Sequence, residues 1–210
     1  MHDAELIWIT PDAEKLIAKI ARVSNPKNED NPDAEKLLKY LIKHKHWSPF
    51  EMASMCVEIK TTRAIAPQIL RHRSFSFQEF SQRYAIPTES FPTVIPDLRR
   101  QDKKNRQNSI DDLPSETAEF LKDRIDRHFR EGVELYHYML DHDVAKECSR
   151  SVLPLNTCTR LYMSGTIRSW LHYCDLRCAN GTQLEHQLIA TNVQEKLFEE
   201  LPTIARAMWH

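Results

Sequence analysis

The sequence predicts an α+β fold carried by a single domain over residues 1–210. Three observations predict it: segments of helical spacing flank segments that alternate, no repeat or internal linker interrupts the chain, and 210 residues suffice for one substantial core. A chain of this length buries roughly 70% of its unfolded surface, so it needs neither disulfide nor structural metal. Residues 10–23 read as a helix, since Thr10 can cap, Pro11 suits the first turn, and Leu16, Ile17, Ile20 and Val23 share a face. The polar stretch 24–32 reads as a loop, and Leu37, Leu38, Leu41 and Ile42 mark a second helix over 33–45. Over 54–62, inward Met55, Val57 and Ile59 alternate with outward Ser54, Glu58 and Lys60, the pattern of a half-buried strand. A helical segment is expected over 63–72 with Pro67 in its first turns, and the aromatic stretch 74–85 is expected to be partly extended. Residues 92–114 have no period and read as a surface loop. A long amphipathic helix follows over 115–142, striped by Leu121, Ile125, Phe129, Val133, Tyr136 and Leu140. Residues 157–165 are β-prone, and 167–177 and 183–200 are helical.

Composition narrows the function. Lys and Arg number 29 against 30 Asp and Glu, a formal charge of −1, which gives no electrostatic reason to expect a duplex nucleic acid or an anionic membrane as partner. The three glycines, Gly132, Gly165 and Gly181, are far apart, so neither a P-loop nor a GxGxxG turn exists in the chain. Any bound nucleotide must have its phosphates held by side chains. Five cysteines without a CxxC, no signal peptide and no apolar run near 18 residues lead us to expect a reduced, soluble, cytoplasmic protein.

The chemistry concentrates over residues 71–84. Arg71 and Arg73 flank His72, and Glu79, Ser81 and Arg83 fall two apart, on one face if the backbone is extended. A hydroxyl beside a guanidinium makes a phosphate clamp, because Arg offers a planar fork of charge-assisted donors. The two arginines are also expected to depress the pKa of His72 and keep its ring neutral. Phe75, Phe77, Phe80 and Tyr84 interleave with these charges, which favours a ligand groove over a solvated strand of ion pairs.

Arg71-His72-Arg73, seven residues, Ser81, one residue and Arg83 resemble the signature of the flavin-dependent thymidylate synthases without a gap. Five fixed positions would match by chance in on the order of one chain in ten thousand of this length. The segments His44–Glu51, Arg150–Asn156, Arg168–Ser169 and Asp175–Arg177 are similar to other parts of that family, so the resemblance covers roughly residues 10–90 and 115–200. It implies a mixed sheet with flanking helices in the subunit of a homotetramer whose sites are shared between subunits. It implies methylation of dUMP to dTMP, with methylenetetrahydrofolate as one-carbon donor, FAD reduced by NADPH, and release of tetrahydrofolate.

Residue by residue, the resemblance places Gln68, Ile69, Leu70, Arg71, Glu79, Phe80, Ser81, Gln82, Arg83 and Arg150 around dUMP, mainly its phosphate. Arg177 would meet the uracil ring and serve as the catalytic residue, stabilising negative charge on its carbonyls. Ser48, Arg71, His72, Arg73, Glu79, Thr166, Ile167, Arg168 and His172 would hold FAD. The family often carries Asn where Gln78, Thr166 and His172 stand, and His where Gly181 stands.

Three rival readings are weaker. His44-x-His46 and the His137/His142 pair lack the spacing and the acidic companion of a metal site, and no metal is expected. Cys174 and Cys178 are one helical turn apart but have no nearby base, which fits buried hydrophobes better than a nucleophile. A nucleic-acid-binding protein would use the basic run 98–106 with the Arg/aromatic segment 71–84. Asp97, Asp102, Asp111 and Asp112 surround that run, and a solvated loop accounts for it better.

Overall fold

A computed structural model describes residues 1–28 and 31–210. The loop expected over 24–32 falls partly on Glu29 and Asp30, outside the described residues; Pro26–Asn28 just before them form a 3-10 turn. The chain opens with strand β1 (Asp3–Ile9), helices α1 (Ala13–Ala21) and α2 (Glu35–Lys43), and strand β2 (Ser54–Thr62). Short α3 (Ala66–Ile69), β3 (Ser76–Glu79) and α4 (Pro87–Ser90) follow, then a two-strand ribbon of β4 (Arg100–Gln101) and β5 (Ser109–Ile110). Helices α5 (Ser115–Asp141) and α6 (Lys146–Ser149) lead to β6 (Cys158–Thr166), α7 (Ile167–Arg177), α8 (Leu184–Glu200) and α9 (Pro202–Trp209).

The main sheet has the order β1-β2-β6-β3, and each neighbouring pair is antiparallel. The mixed sheet that the resemblance implied is therefore corrected to an antiparallel one. β2 and β3 do run the same way, but β6 lies between them and pairs antiparallel with both. All nine residues of β2 pair with β6, from Ser54 opposite Thr166 to Thr62 opposite Cys158. Such a central strand is covered on both faces, which is why Glu58, expected to point outward, is buried and accepts a hydrogen bond from the Tyr162 hydroxyl at 2.6 Å.

The core lies where this sheet meets α7 and α8, around Met55, Val57, Ile59, Leu161, Met163, Trp170, Ile189 and Val193. Trp170 is fully buried and its indole N–H donates to the Met55 carbonyl at 3.0 Å, so the largest core side chain leaves no unpaired donor. Phe75 packs against Trp170 with ring centroids 4.6 Å apart and lies across Gly165 of β6. A Cβ at Gly165 would stand 2.5 Å from Phe75 Cδ1. Gly165→Ala should therefore cost roughly 1–3 kcal/mol by overpacking, read as a lower urea midpoint at constant slope. A midpoint at or above the parent's would contradict this packing.

Several local expectations change. Helix α1 starts at Ala13 behind Asp12, which is left-handed at φ 50°, while the Thr10 hydroxyl bonds the Ser54 carbonyl rather than capping; Val23 lies beyond the helix and is exposed. Of the expected stripe on α5 only Tyr136 is buried and Leu121 is exposed, because the rest of the chain reaches few of its turns. The segment 92–114 is not a bare surface loop. Its first part is half-buried, Thr93 bridges to Thr157, and the β4–β5 ribbon occupies its middle.

Candidate active site

The expected residues gather in three places, of which the first and third touch where Ser169 Oγ donates to the Ser74 carbonyl at 3.4 Å. The first lies between the end of α3 and the end of α7. Tyr173 and Arg177 stand one turn apart on α7, so both face the turn that carries His72. Arg177 Nε donates to His72 Nε2 at 2.9 Å. Its two Nη groups have no acceptor among the described residues. Nearby, Gln68 Nε2 donates to Gln183 Oε1 at 2.6 Å.

His72 is pushed down to about 4, first by burial and then by the Arg177 charge. The ring is neutral as expected, but the cause is corrected: Arg177 does this, not the sequence neighbours Arg71 and Arg73, which point to solvent. Behind it, buried His186 is pushed down to about 3, again by burial first. In an unfolded chain both rings return to near 6.5, so below that pH the unfolded state binds more protons. These histidines thus contribute stability that is present above pH 6.5 and lost as pH falls toward 4. The urea midpoint should fall between pH 7 and pH 5, and less so in His186→Gln; an equal fall in both would remove His186 from this account.

The second place is the turn after β3. The strand ends at Glu79, so Glu79, Ser81 and Arg83 do not share an extended face. Instead Tyr84 N–H bonds the Ser81 carbonyl at 3.1 Å and Arg83 N–H bonds Ser81 Oγ at 3.3 Å. Ser81 and Arg83 become neighbours through this turn. The Arg83 guanidinium lies 3.0 Å from Glu147, and Arg150 Nε donates to the Glu147 carbonyl at 3.4 Å. An exposed pair of this kind is worth about 0–1 kcal/mol, so a phosphate could displace Glu147 at little cost. Glu79 turns inward, where Oε1 accepts from Arg63 and from Thr159 Oγ1 at 3.0 Å, leaving Oε2 for other contacts. Phe80 packs edge-on against Phe91 at 4.9 Å.

The third place surrounds the start of α7. Thr166 caps the helix by accepting from Ser169 N–H at 3.3 Å, Arg168 pairs with Glu51, and His172 lies 6.0 Å from Trp47. Exposed Ser48 begins the 3-10 turn that carries Glu51. Ile69, Ile167 and Gln82 have buried side chains, so it is their backbones that are placed to meet a ligand. Leu70 is exposed. Arg71 and Arg73, exposed and without acceptors among the described residues, form a donor set suited to a dinucleotide's diphosphate, so the residues present fit FAD.

The rival readings lose ground. Cys56, Cys158 and Cys174 are buried with thiols pushed up by burial, the wrong direction for a nucleophile, while half-buried Cys178 is pulled down by the Cys174 hydrogen bond but has no base bonded to it among the described residues. In the basic run, Arg99 pairs with Glu185 at 2.7 Å and Arg100 with Asp112, so these charges are consumed within the chain. The nucleic-acid reading is withdrawn. Among the described residues no three His, Cys, Asp or Glu side chains group as a metal site, and no helix is long and apolar enough to cross a membrane.

Sequence reasoning missed Arg63, Thr159, Glu147, Tyr173, Gln183 and His186. Only Tyr173 carried a signal, its spacing of four from Arg177.

An antiparallel α+β chain with an unspent arginine edge on a neutral histidine, and a separate Ser–Arg turn, has the side-chain donors that a nucleotide-binding enzyme without glycine loops needs. The family model described as thymidylate synthase complementing protein matches residues 5–203, and the chain belongs to that family. It is 52% identical over 197 residues to a probable flavin-dependent thymidylate synthase of Paramecium bursaria Chlorella virus 1, covering 93% of this chain and 90% of that one. It is 51% identical over 195 residues to the flavin-dependent thymidylate synthase of Synechocystis sp., covering 93% and 89%. Among solved structures, a UMP/dUMP methylase of Streptomyces cacaoi bound with 5-Br dUMP superposes with a TM-score of 0.86 at 25% identity, covering 99% of this chain and 94% of that one.

Proposed function

We propose that the chain is an FAD-dependent thymidylate synthase. It methylates dUMP to dTMP with methylenetetrahydrofolate as one-carbon donor and NADPH as reductant, and it releases tetrahydrofolate. The observation that carries this reading is Arg177, whose Nε is spent on neutral His72 while its Nη edge stays available to a planar acceptor.

FAD, when bound, supplies the redox chemistry. The chain's own residues bind and polarise. Ser81, Arg83 and Arg150 hold the dUMP phosphate, with the 79–83 stretch lining the nucleotide and Gln68 and Arg71 at its edge. Arg177 faces the uracil carbonyls and stabilises the negative charge that grows there, which makes the ring carbon more nucleophilic without a thiol. Ser48, Arg71, Arg73, Arg168 and the α7 start at Thr166 and His172 hold the flavin, to which His72 offers its backbone because its ring is taken by Arg177.

A homotetramer with shared sites belongs to the same proposal. It is supported by the apolar side chains left open on α5, where Phe120 is 60% and Tyr138 61% exposed. The test is the purified protein: it should absorb at the flavin bands, elute from gel filtration as an oligomer, and form dTMP from dUMP. A flavin-loaded monomer would sink the shared-site arrangement, and a colourless protein that cannot take up FAD would sink the enzyme reading.

A further inference from the structure

Behind the His72–Arg177 pair lies a second polar pair that the mechanism above does not use. His186 of α8 is fully buried, and its Nε2 lies 3.1 Å from the Tyr173 hydroxyl. Its Nδ1 is buried without a hydrogen-bond partner among the described residues. Leucine would remove the unpaired Nδ1 but would also take its partner from the buried Tyr173 hydroxyl, so the histidine is tied to that hydroxyl and burial alone does not account for it.

Both rings bear on His72. Tyr173 meets it edge-to-face with centroids 5.0 Å apart and planes at 76°, and His186 meets it at 6.2 Å and 84°. His72 is thus held between one residue of α7 and one of α8, with Phe75 on a further side at 6.3 Å. In this orientation Nε2 receives the Arg177 Nε–H, which requires the tautomer with its proton on Nδ1. Tyr173 and Arg177 lie on one helix, so a ring fixed against the first also fixes the second.

We propose that Tyr173 and His186 are positioning residues for Arg177, acting through His72: the buried pair holds the imidazole on edge so that the guanidinium keeps one orientation, with its Nη groups toward the substrate. The direction toward substrate rests on the proposed function; the holding of His72 does not. Because both imidazoles are neutral well above their lowered pKa values, no charge is buried between the two helices.

The test uses the FAD-loaded enzyme. His186→Leu removes both ring nitrogens, whereas His186→Gln keeps a group able to bond Tyr173. His186→Leu should lower kcat for dTMP formation by about tenfold, short of the roughly hundredfold that a 1 Å misplacement can cost. KM for dUMP and flavin reduction by NADPH should stay within about twofold, and His186→Gln should recover most of the loss. In an Arg177→Ala background His186→Leu should cost nothing further, because both changes remove one effect. Long-range 1H–15N spectra should show one Nδ1–H tautomer of His72 in the parent and a mixture in His186→Leu. A purely structural His186 would slow flavin reduction and methylation together, add in full to Arg177→Ala, and leave the His72 spectrum unchanged; that result overturns the proposal. If Arg177→Ala leaves dTMP formation intact, the reading of Arg177 at the uracil fails, and the His72 spectrum, which needs no turnover, still decides the positioning role. Should His186→Leu not fold, Tyr173→Phe carries the same measurements with a loss of about threefold expected from one weak hydrogen bond.

Discussion

Arg177→Ala should lower dTMP formation by roughly a hundred- to a thousandfold, about 2.7–4 kcal/mol, while NADPH should continue to reduce the flavin. Polarisation is the expected route to an activated uracil, since the Cys158 and Cys174 thiols are pushed up by burial and Cys178, although pulled down by the Cys174 hydrogen bond, has no base bonded to it among the described residues. Negative charge then grows on the ring carbonyls, and a guanidinium stabilises it most where it is greatest, beyond any effect on ground-state binding. The geometry favours this role. Arg177 is half-buried, its Nε is occupied by His72, and its remaining donors lie along one edge. Flavin reduction needs no ring activation and should survive. Measuring the two half-reactions separately decides the matter; equal loss in both would reduce Arg177 to a scaffold.

Arg83→Ala and Arg150→Ala should each weaken dUMP binding by about ten- to a hundredfold and leave FAD bound, the effect expected of losing one charge-assisted contact worth roughly 1.5–3 kcal/mol. The two should differ. Arg83 gives up an exposed pair with Glu147 when it takes a phosphate, so its loss belongs at the lower end. Arg150 is half-buried and bonds only a carbonyl of α6, so less is broken when it turns to the ligand. Calorimetric titration with dUMP measures both; FAD loss with unchanged nucleotide affinity would mean that the two sites are exchanged.

Much of this fold was legible because its period was strong. Helix α7 spans 167–177 and β2 spans 54–62, as their spacing predicts. Edge strand β1 escaped because it is mostly exposed and a register shift between Leu6 and Trp8 breaks its alternation. The sheet's sense was not legible, since pairing is a property of neighbours and not of spacing. At the site, residue types were readable and their partners were not. The neutral ring of His72 was expected from its neighbours Arg71 and Arg73, yet it belongs to Arg177, more than a hundred positions away. Likewise Ser81 and Arg83 meet through a turn rather than along a strand, because β3 stops at Glu79.

The most direct test follows the folate. Purified enzyme loaded with FAD is given dUMP, methylenetetrahydrofolate and NADPH, and the nucleotide and folate products are quantified together. dTMP and tetrahydrofolate should form in equal amounts, because the electrons come through the flavin. Equal amounts of dTMP and dihydrofolate would show that the folate itself is the reductant and would contradict the account.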